Sequence, residues 1–254
     1  MRALKNGLLL PLGILLVWYL VTALHLFNPY LLPSPGTTLN SLGVLCANGE
    51  LPYHLAVSLK RVFSGFFLST FAAIPLGILC GRSRAFESYC WPLLEFLRHV
   101  PPLACIPLII LWTGIGEASK LTIIFLASFF PLFLNTYSGI KNCDLKLLEV
   151  GRSLSFSESS LIRHIQLPAA LEAIAVGLQL SLGYSWRALI GAELIAASAG
   201  IGYLILDAEQ MSRPDIVVVG MLCIGIIGSL IDSLFLKILN HMLPWRKKAG
   251  AMHA

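Results

Sequence analysis

Six apolar stretches, at 7–27, 62–80, 100–113, 121–140, 173–197 and 216–236, punctuate the 254-residue chain. A helix needs about 20 predominantly apolar residues to cross a bilayer, so each is a candidate span. The third is short as counted. It reaches the required length only if its helix continues upstream across Pro101 and Pro102, where the missing N–H groups predict a kink. Just before that kink, ESYCWPLLEFLRH (87–99) reads as an amphipathic stretch at the membrane interface. The first stretch, preceded by Arg2 and Lys5, has the basic start and apolar core of a signal peptide as well as of a span. Its long apolar run, with no small-residue cleavage site before FNPYLLPSPG, predicts a retained span. The fold class predicted is an all-α membrane protein with about six transmembrane helices.

Between the fourth and fifth stretches the pattern changes. The segment EVGRSLSFSESSLIRHIQLP (149–168) is charged and serine-rich, and its apolar positions recur at helical spacing. Asp144 can cap a short helix in which Leu147, Leu148, Gly151 and Leu154 fall three and four apart. Ser155 with Glu158 has the form of a capping box for a second short helix, with Leu161, Ile162 and Ile165 as its apolar stripe. That reading puts Ser155 at negative φ. Pro168 can stand in the first turn of the next helix, where its lack of an N–H is harmless. The loop 141–172 is therefore expected to be two short helices meeting at a turn.

Composition agrees with a bilayer. The chain is 57% hydrophobic and 12% charged, about half the charge of an ordinary soluble domain, and its mean hydropathy is +0.80. The net charge of +5 is too modest to suggest nucleic acid as a partner, but its placement is informative. If the N-terminus, the 81–99 turn, the 141–172 loop and the C-terminal end share one side, that side holds thirteen of the eighteen Lys and Arg residues. The other side holds Lys60, Arg61, Lys120 and Arg213, with Lys60–Arg61 marking the outer start of the second span. The positive-inside rule then makes both termini cytoplasmic. The six cysteines form no C-x-x-C pair and read as small hydrophobes, and the histidines form no H-E-x-x-H. There is no G-x-x-x-x-G-K-[ST] loop, so the chain shows no ATP site, metal site or nucleophile triad of its own.

The string 149–168 resembles the cytoplasmic-loop signature of ATP-binding-cassette importer permeases, E-A-A-x-x-x-G-x(9)-I-x-L-P. The matching positions are Glu149, Val150, Gly151, Ser155, Ile165, Leu167 and Pro168; Ser155 departs, standing where the family has Gly. The strings PPLACIPLIILWTGIGEASK and AELIAASAGIGYLILDA extend the resemblance to the aliphatic-sulfonate, taurine and nitrate group of these permeases. The resemblance implies a type I importer-like fold whose loop forms coupling helices that dock on a separate ATPase subunit. Glu149 and Arg152 would supply charged contacts, Gly151 close backbone approach, and the Ile165–Leu167–Pro168 corner the exit into the fifth span. It also implies two ATPase copies carrying ATP–Mg, no cofactor on this chain, a homodimer in a bacterial inner membrane, and an external or lipid-anchored binding protein. The organisation expected is an N-terminal span at 1–27, an outer connector at 28–61, a permease core at 62–240 and a basic cytoplasmic tail at 241–254. The substrate class implied is a small organosulfonate, with nitrate-like anions or a small heteroaromatic nutrient as alternatives.

Charges inside spans are costly and usually face a cavity or a partner. Arg187 and Glu193 lie six apart in the fifth span, on different faces of a straight helix. Each can snorkel or pair with another helix; alternatively Arg187 lies near an anion's route and Glu193 closes or braces a gate. Gly177, Gly183, Gly191, Gly200 and Gly202 allow close helix approach or local breaks. Asp232 reads as a structural partner, and Trp18, Trp91, Trp112 and Trp245 as interfacial anchors. TGIGEASK (113–120) is either a plain turn or an outer loop suited to a binding protein. An ion-coupled transporter would show an internal repeat and paired intramembrane carboxylates. A membrane enzyme would show clustered histidines, whereas these are scattered.

Overall fold

The computed structural model describes residues 2–28 and 30–244, without the side chains of residues 2–8. Trp245, Arg246, Lys247, Lys248 and most of the expected basic tail lie outside the described residues, as do the side chains of Arg2 and Lys5. Among the described residues the regular structure is all helical. Its elements are α1 (Arg2–Ala23), α2 (Pro35–Ala47), α3 (Glu50–Arg82), α4 (Arg84–Arg98), a 3-10 turn Pro102–Cys105 leading into α5 (Ile106–Thr113), α6 (Glu117–Lys141), α7 (Leu145–Ser153), α8 (Glu158–Leu161), α9 (Leu167–Ala196), α10 (Ile201–Gln210) and α11 (Pro214–Met242).

Four helices are long and apolar enough to cross a membrane: α3, α6, the run Glu158–Ala196, and α11. The pair Arg84–Arg98 and Pro102–Thr113 is long and apolar enough only when the two are taken together, and it is bent by 85° at the Pro101–Pro102 step. The third expected span thus has the expected bend, with the amphipathic α4 as its upstream arm. Leu9–Ala23 of α1 adds a shorter apolar helix. The segment 28–61 is largely helical, and α3 starts at Glu50, so Lys60 and Arg61 lie inside a helix rather than in a loop before it. Only Gly114, Ile115 and Gly116 of TGIGEASK are loop, because α5 runs to Thr113 and α6 begins at Glu117.

The chain forms two compact units, Met1–Ser58 with Glu193–Ile227, and Leu59–Ala192 with Gly228–Ala254. In the second, α6 is the central helix: Phe129, Leu132, Phe133 and Ile140 are buried with Ala73 and Cys80 of α3 and Ala170 and Ile174 of α9. Close packing follows from small side chains. On α3, Gly65, Ser69, Ala73, Gly77 and Gly81 recur every four residues, which puts them on one face. A Cβ on Gly65 would lie 2.5 Å from Ile124, and one on Gly77 2.8 Å from Thr136. On α9, Ala170 and Ala173 close on Gly139, Gly177 meets Leu132 and Asn135, and the Ser181 hydroxyl donates to the Ser128 carbonyl at 2.8 Å. Within a bilayer, lipid removes the hydrophobic drive between helices, and such close backbone approach supplies the attraction instead.

In the first unit, Ser34 caps α2 by accepting from the Thr37 N–H at 3.1 Å, and the Trp18 indole donates to the Pro33 carbonyl at 3.0 Å. Ser41 donates to Asp215 at 2.6 Å, and Asp215 also accepts from Arg213 at 2.7 Å. The carboxylate beside it holds the Arg213 guanidinium above its already high ordinary pKa.

Candidate functional site

The loop between α6 and α9 belongs to the second unit and is built by local rules. Asp144 caps α7, accepting from the Lys146 N–H at 2.9 Å. The helix ends at Leu154 with two bonds, Ser155 N–H to the Arg152 carbonyl at 2.9 Å and Phe156 N–H to the Gly151 carbonyl at 3.0 Å. That pair is a Schellman ending, which requires its next residue left-handed, and Ser155 has φ 59°. The expected negative φ is therefore wrong, and so is the expected cap: Ser157, not Ser155, caps α8 by accepting from the Ser160 N–H at 3.3 Å. The physical reason is that Ser155 already terminates α7 and cannot also begin α8. The family's Gly at this position is the residue that takes positive φ without strain.

Gly151 sits where α7 meets the following segment, and a Cβ there would lie 2.5 Å from both Leu161 and Ile165. After α8 the chain does not start a separate helix. A π-turn, Ile162–Gln166, carries α8 into α9, with the Leu167 N–H bonding back to the Ile162 carbonyl. Pro168 falls in the first turn of α9; it cannot donate to the carbonyl four residues back and its ring crowds it, and the wider turn absorbs this. Glu158 pairs with Arg82 at the end of α3, and Glu87 of α4 binds Lys141 of α6 at 2.5 Å. Cys143 is buried beneath the loop, and burial pushes its thiol pKa up, away from reactivity.

What the loop turns outward is apolar as well as charged. Leu148 and Gly151 are buried, whereas Leu145, Val150 and Leu154 are 71%, 56% and 64% exposed, flanked by exposed Glu149 and Arg152. Exposed apolar residues grouped this way are the pattern that protein and membrane contact surfaces share.

A second feature of the same unit is a cavity of about 720 Å³ beside the α4–α5 break, against α6 and α9. Arg187 lines it, and so do Arg98, His99, Asn135 and Tyr184. The Arg187 guanidinium lies over the Tyr184 ring at 4.9 Å, and its Nε donates to the Gly183 carbonyl at 3.1 Å.

Glu193 belongs to the first unit and is fully buried. It accepts from the Ser58 hydroxyl at 2.9 Å and from the Gly202 N–H at 3.0 Å. Ser58 in turn accepts from the Ile201 N–H at 2.9 Å, and His54 Nδ1 from the Gly200 N–H at 2.9 Å. The N–H groups at the start of α10, which a helix leaves without internal partners, are thus met by side chains of α3 and α9. Gly200 has φ 120°, and a Cβ there would overlap the Glu193 carboxyl group.

A family model described as a binding-protein-dependent transport system inner membrane component matches residues 73–246. The chain belongs to that family. This permease is 41% identical over 95% of its length to a putative aliphatic sulfonates transport permease, SsuC, of Bacillus subtilis, covering 87% of that protein. It is 38% identical over 94% of its length to a putative ABC transporter permease of Methanocaldococcus jannaschii, covering 91% of it. It is 35% identical over 91% of its length to the taurine transport system permease TauC of Escherichia coli, covering 86% of it. A solved structure of the MetNI methionine ABC transporter, inward-facing, aligns at a TM-score of 0.49 with 16% identity, covering 70% of this chain and 92% of that one.

The permease is a multi-pass membrane protein, and its relatives are named as transport permeases rather than enzymes. Several of its polar residues escaped the sequence pattern. Arg61 of α3 is buried and donates through Nε to Glu117 of α6 at 2.8 Å, and the buried Lys120 donates to the Gly116 carbonyl at 3.0 Å. His54 and Ser58, four apart on α3, gave no signal either, because their partners lie more than 130 residues away. Asp232 accepts from Gln179 at 3.3 Å, a structural partnership.

Proposed function

We propose that this chain is the membrane-spanning subunit of an ATP-driven importer that carries a small organosulfonate inward. The observation that carries the reading is the 41% identity, over nearly the whole chain, to a permease named for aliphatic sulfonates. In this reading two copies enclose one path, two ATPase subunits carrying ATP–Mg dock on α7 and α8, and an external binding protein delivers the substrate. Both termini face the cytoplasm. Val150 and Leu154 provide the apolar part of the docking face, Glu149 and Arg152 the charged part, and Gly151 lets α7 lie tight on Leu161 and Ile165. Leu167 and Pro168 then carry movement of the loop directly into α9, since the run from Glu158 to Ala196 is one continuous helix. Rigid-body motion of packed helices is the ordinary route from such a lever to alternating access.

The test is uptake of radiolabelled pentanesulfonate into proteoliposomes holding permease, ATPase and binding protein. ATP-dependent uptake is expected, and Glu149→Lys should reduce it at least tenfold while insertion and unfolding temperature stay unchanged. Uptake that persists without the ATPase and follows an ion gradient would overturn the reading.

A further inference from the structure

The cavity beside the α4–α5 break has an asymmetry of charge. Its walls include two guanidinium groups and no carboxylate, and most of the remaining lining is aliphatic or aromatic. The two cations differ. Arg98 is matched by Glu95 at 2.7 Å. Arg187 has no carboxylate within ion-pair distance among the described residues. The Gly183 carbonyl and the Tyr184 ring hold its Nε and its face, and none of its described bonds uses the terminal nitrogens. An arginine set in a membrane span, steered into a cavity and left without a counter-charge, calls for an anion. The apolar lining, with Leu103, Phe130 and Leu180, calls for hydrocarbon, and the volume is far beyond the need of a compact anion.

We infer that this cavity is a station for substrate inside the permease, selective for a mono-anion with an apolar tail: an alkanesulfonate whose sulfonate group meets Arg187 and whose chain lies on Leu103, Phe130 and Leu180. The inference rests on the organosulfonate reading and narrows it. Taurine is nearly isosteric with propanesulfonate but ends in an ammonium group. In this cavity that ammonium meets a mostly apolar wall with no carboxylate to receive it, so the station disfavours taurine.

The experiment is equilibrium binding of radiolabelled ethane- to octanesulfonate, and of taurine, to the permease–ATPase complex in nanodiscs of neutral lipid. Leaving out the binding protein removes its selectivity from the result. Affinity should rise about fourfold per added methylene, as for burial of a CH₂ group, and taurine should bind at least tenfold more weakly than propanesulfonate. Arg187→Ala should lose at least tenfold for every sulfonate. Arg187→Lys should keep the chain-length slope at intermediate affinity, which separates a charge role from a folding defect. Leu180→Trp should flatten the slope for the longer chains and spare ethanesulfonate. A flat slope, taurine equal to propanesulfonate, or unchanged binding in Arg187→Ala would overturn the inference. So would an anionic lipid that co-purifies with the native complex and is released by Arg187→Ala, because the cavity would then belong to a lipid headgroup. If ATP-driven uptake carries pentanesulfonate but the binding slope is flat, only the station fails; if no sulfonate is carried, the organosulfonate reading fails with it.

Discussion

Two short helices in this chain begin after a tight turn, and they are finished in opposite ways. At α8 the cap is Ser157, one residue before the helix starts, and the turn before it is the Schellman ending of α7. At α10 the N–H groups of Gly200, Ile201 and Gly202 go to His54, Ser58 and Glu193, side chains carried by other helices. One end is exposed and closed by its own neighbours; the other is buried and closed from a distance. The same orphan donors must be satisfied in both places, but water can substitute at α8 and cannot at α10. Losing a cap should therefore be mild in the first case and severe in the second.

The largest effect is expected at Glu193. Glu193→Ala leaves the buried Ser58 hydroxyl and the Gly202 N–H without this acceptor, at about 1–3 kcal/mol for each buried group, so unfolding in mixed micelles should show a loss of roughly 3 kcal/mol or more. A loss under about 1 kcal/mol would mean that water reaches α10 and that the contrast with α8 is false. Gly200→Ala comes next, because it adds an overlap with Glu193 to an L-residue at φ 120°; about 2 kcal/mol is expected. The exposed loop should answer more gently. Ser155→Gly relieves a left-handed serine and should raise stability by about 0.5–1 kcal/mol, seen as a small rise in thermal midpoint with uptake unchanged. Arg82→Ala removes an ion pair whose carboxylate is largely exposed, and should change stability by less than about 1 kcal/mol.

Legibility followed the same division. Asp144 as cap of α7, the bend at Pro101–Pro102 and the close helix approach at Gly177 of α9 are local features, and sequence displays them. The left-handed Ser155 runs against the S-x-x-E spacing, although its signal is present in the sequence: the family's Gly at that position is itself the mark of positive φ. The partner of Arg61 was illegible for another reason. A basic pair near the start of an apolar run looks like a membrane boundary, and nothing near it reveals that Glu117, 56 residues on, receives it.

Sequence alone determined that the chain crosses a bilayer, that its longest polar interruption is helical, and which family it joins. Those follow from hydropathy, spacing and a motif, all properties of near neighbours along the chain. Only the tertiary structure decided that Glu193 is a buried brace for the start of α10, that Arg61 is an internal ion-pair partner, and that Arg187 lines a cavity without a counter-charge. Each of these depends on which distant groups share a low-dielectric space. That is set by helix packing, where Gly and Ala faces bring backbones together, and short-range pattern carries no record of it.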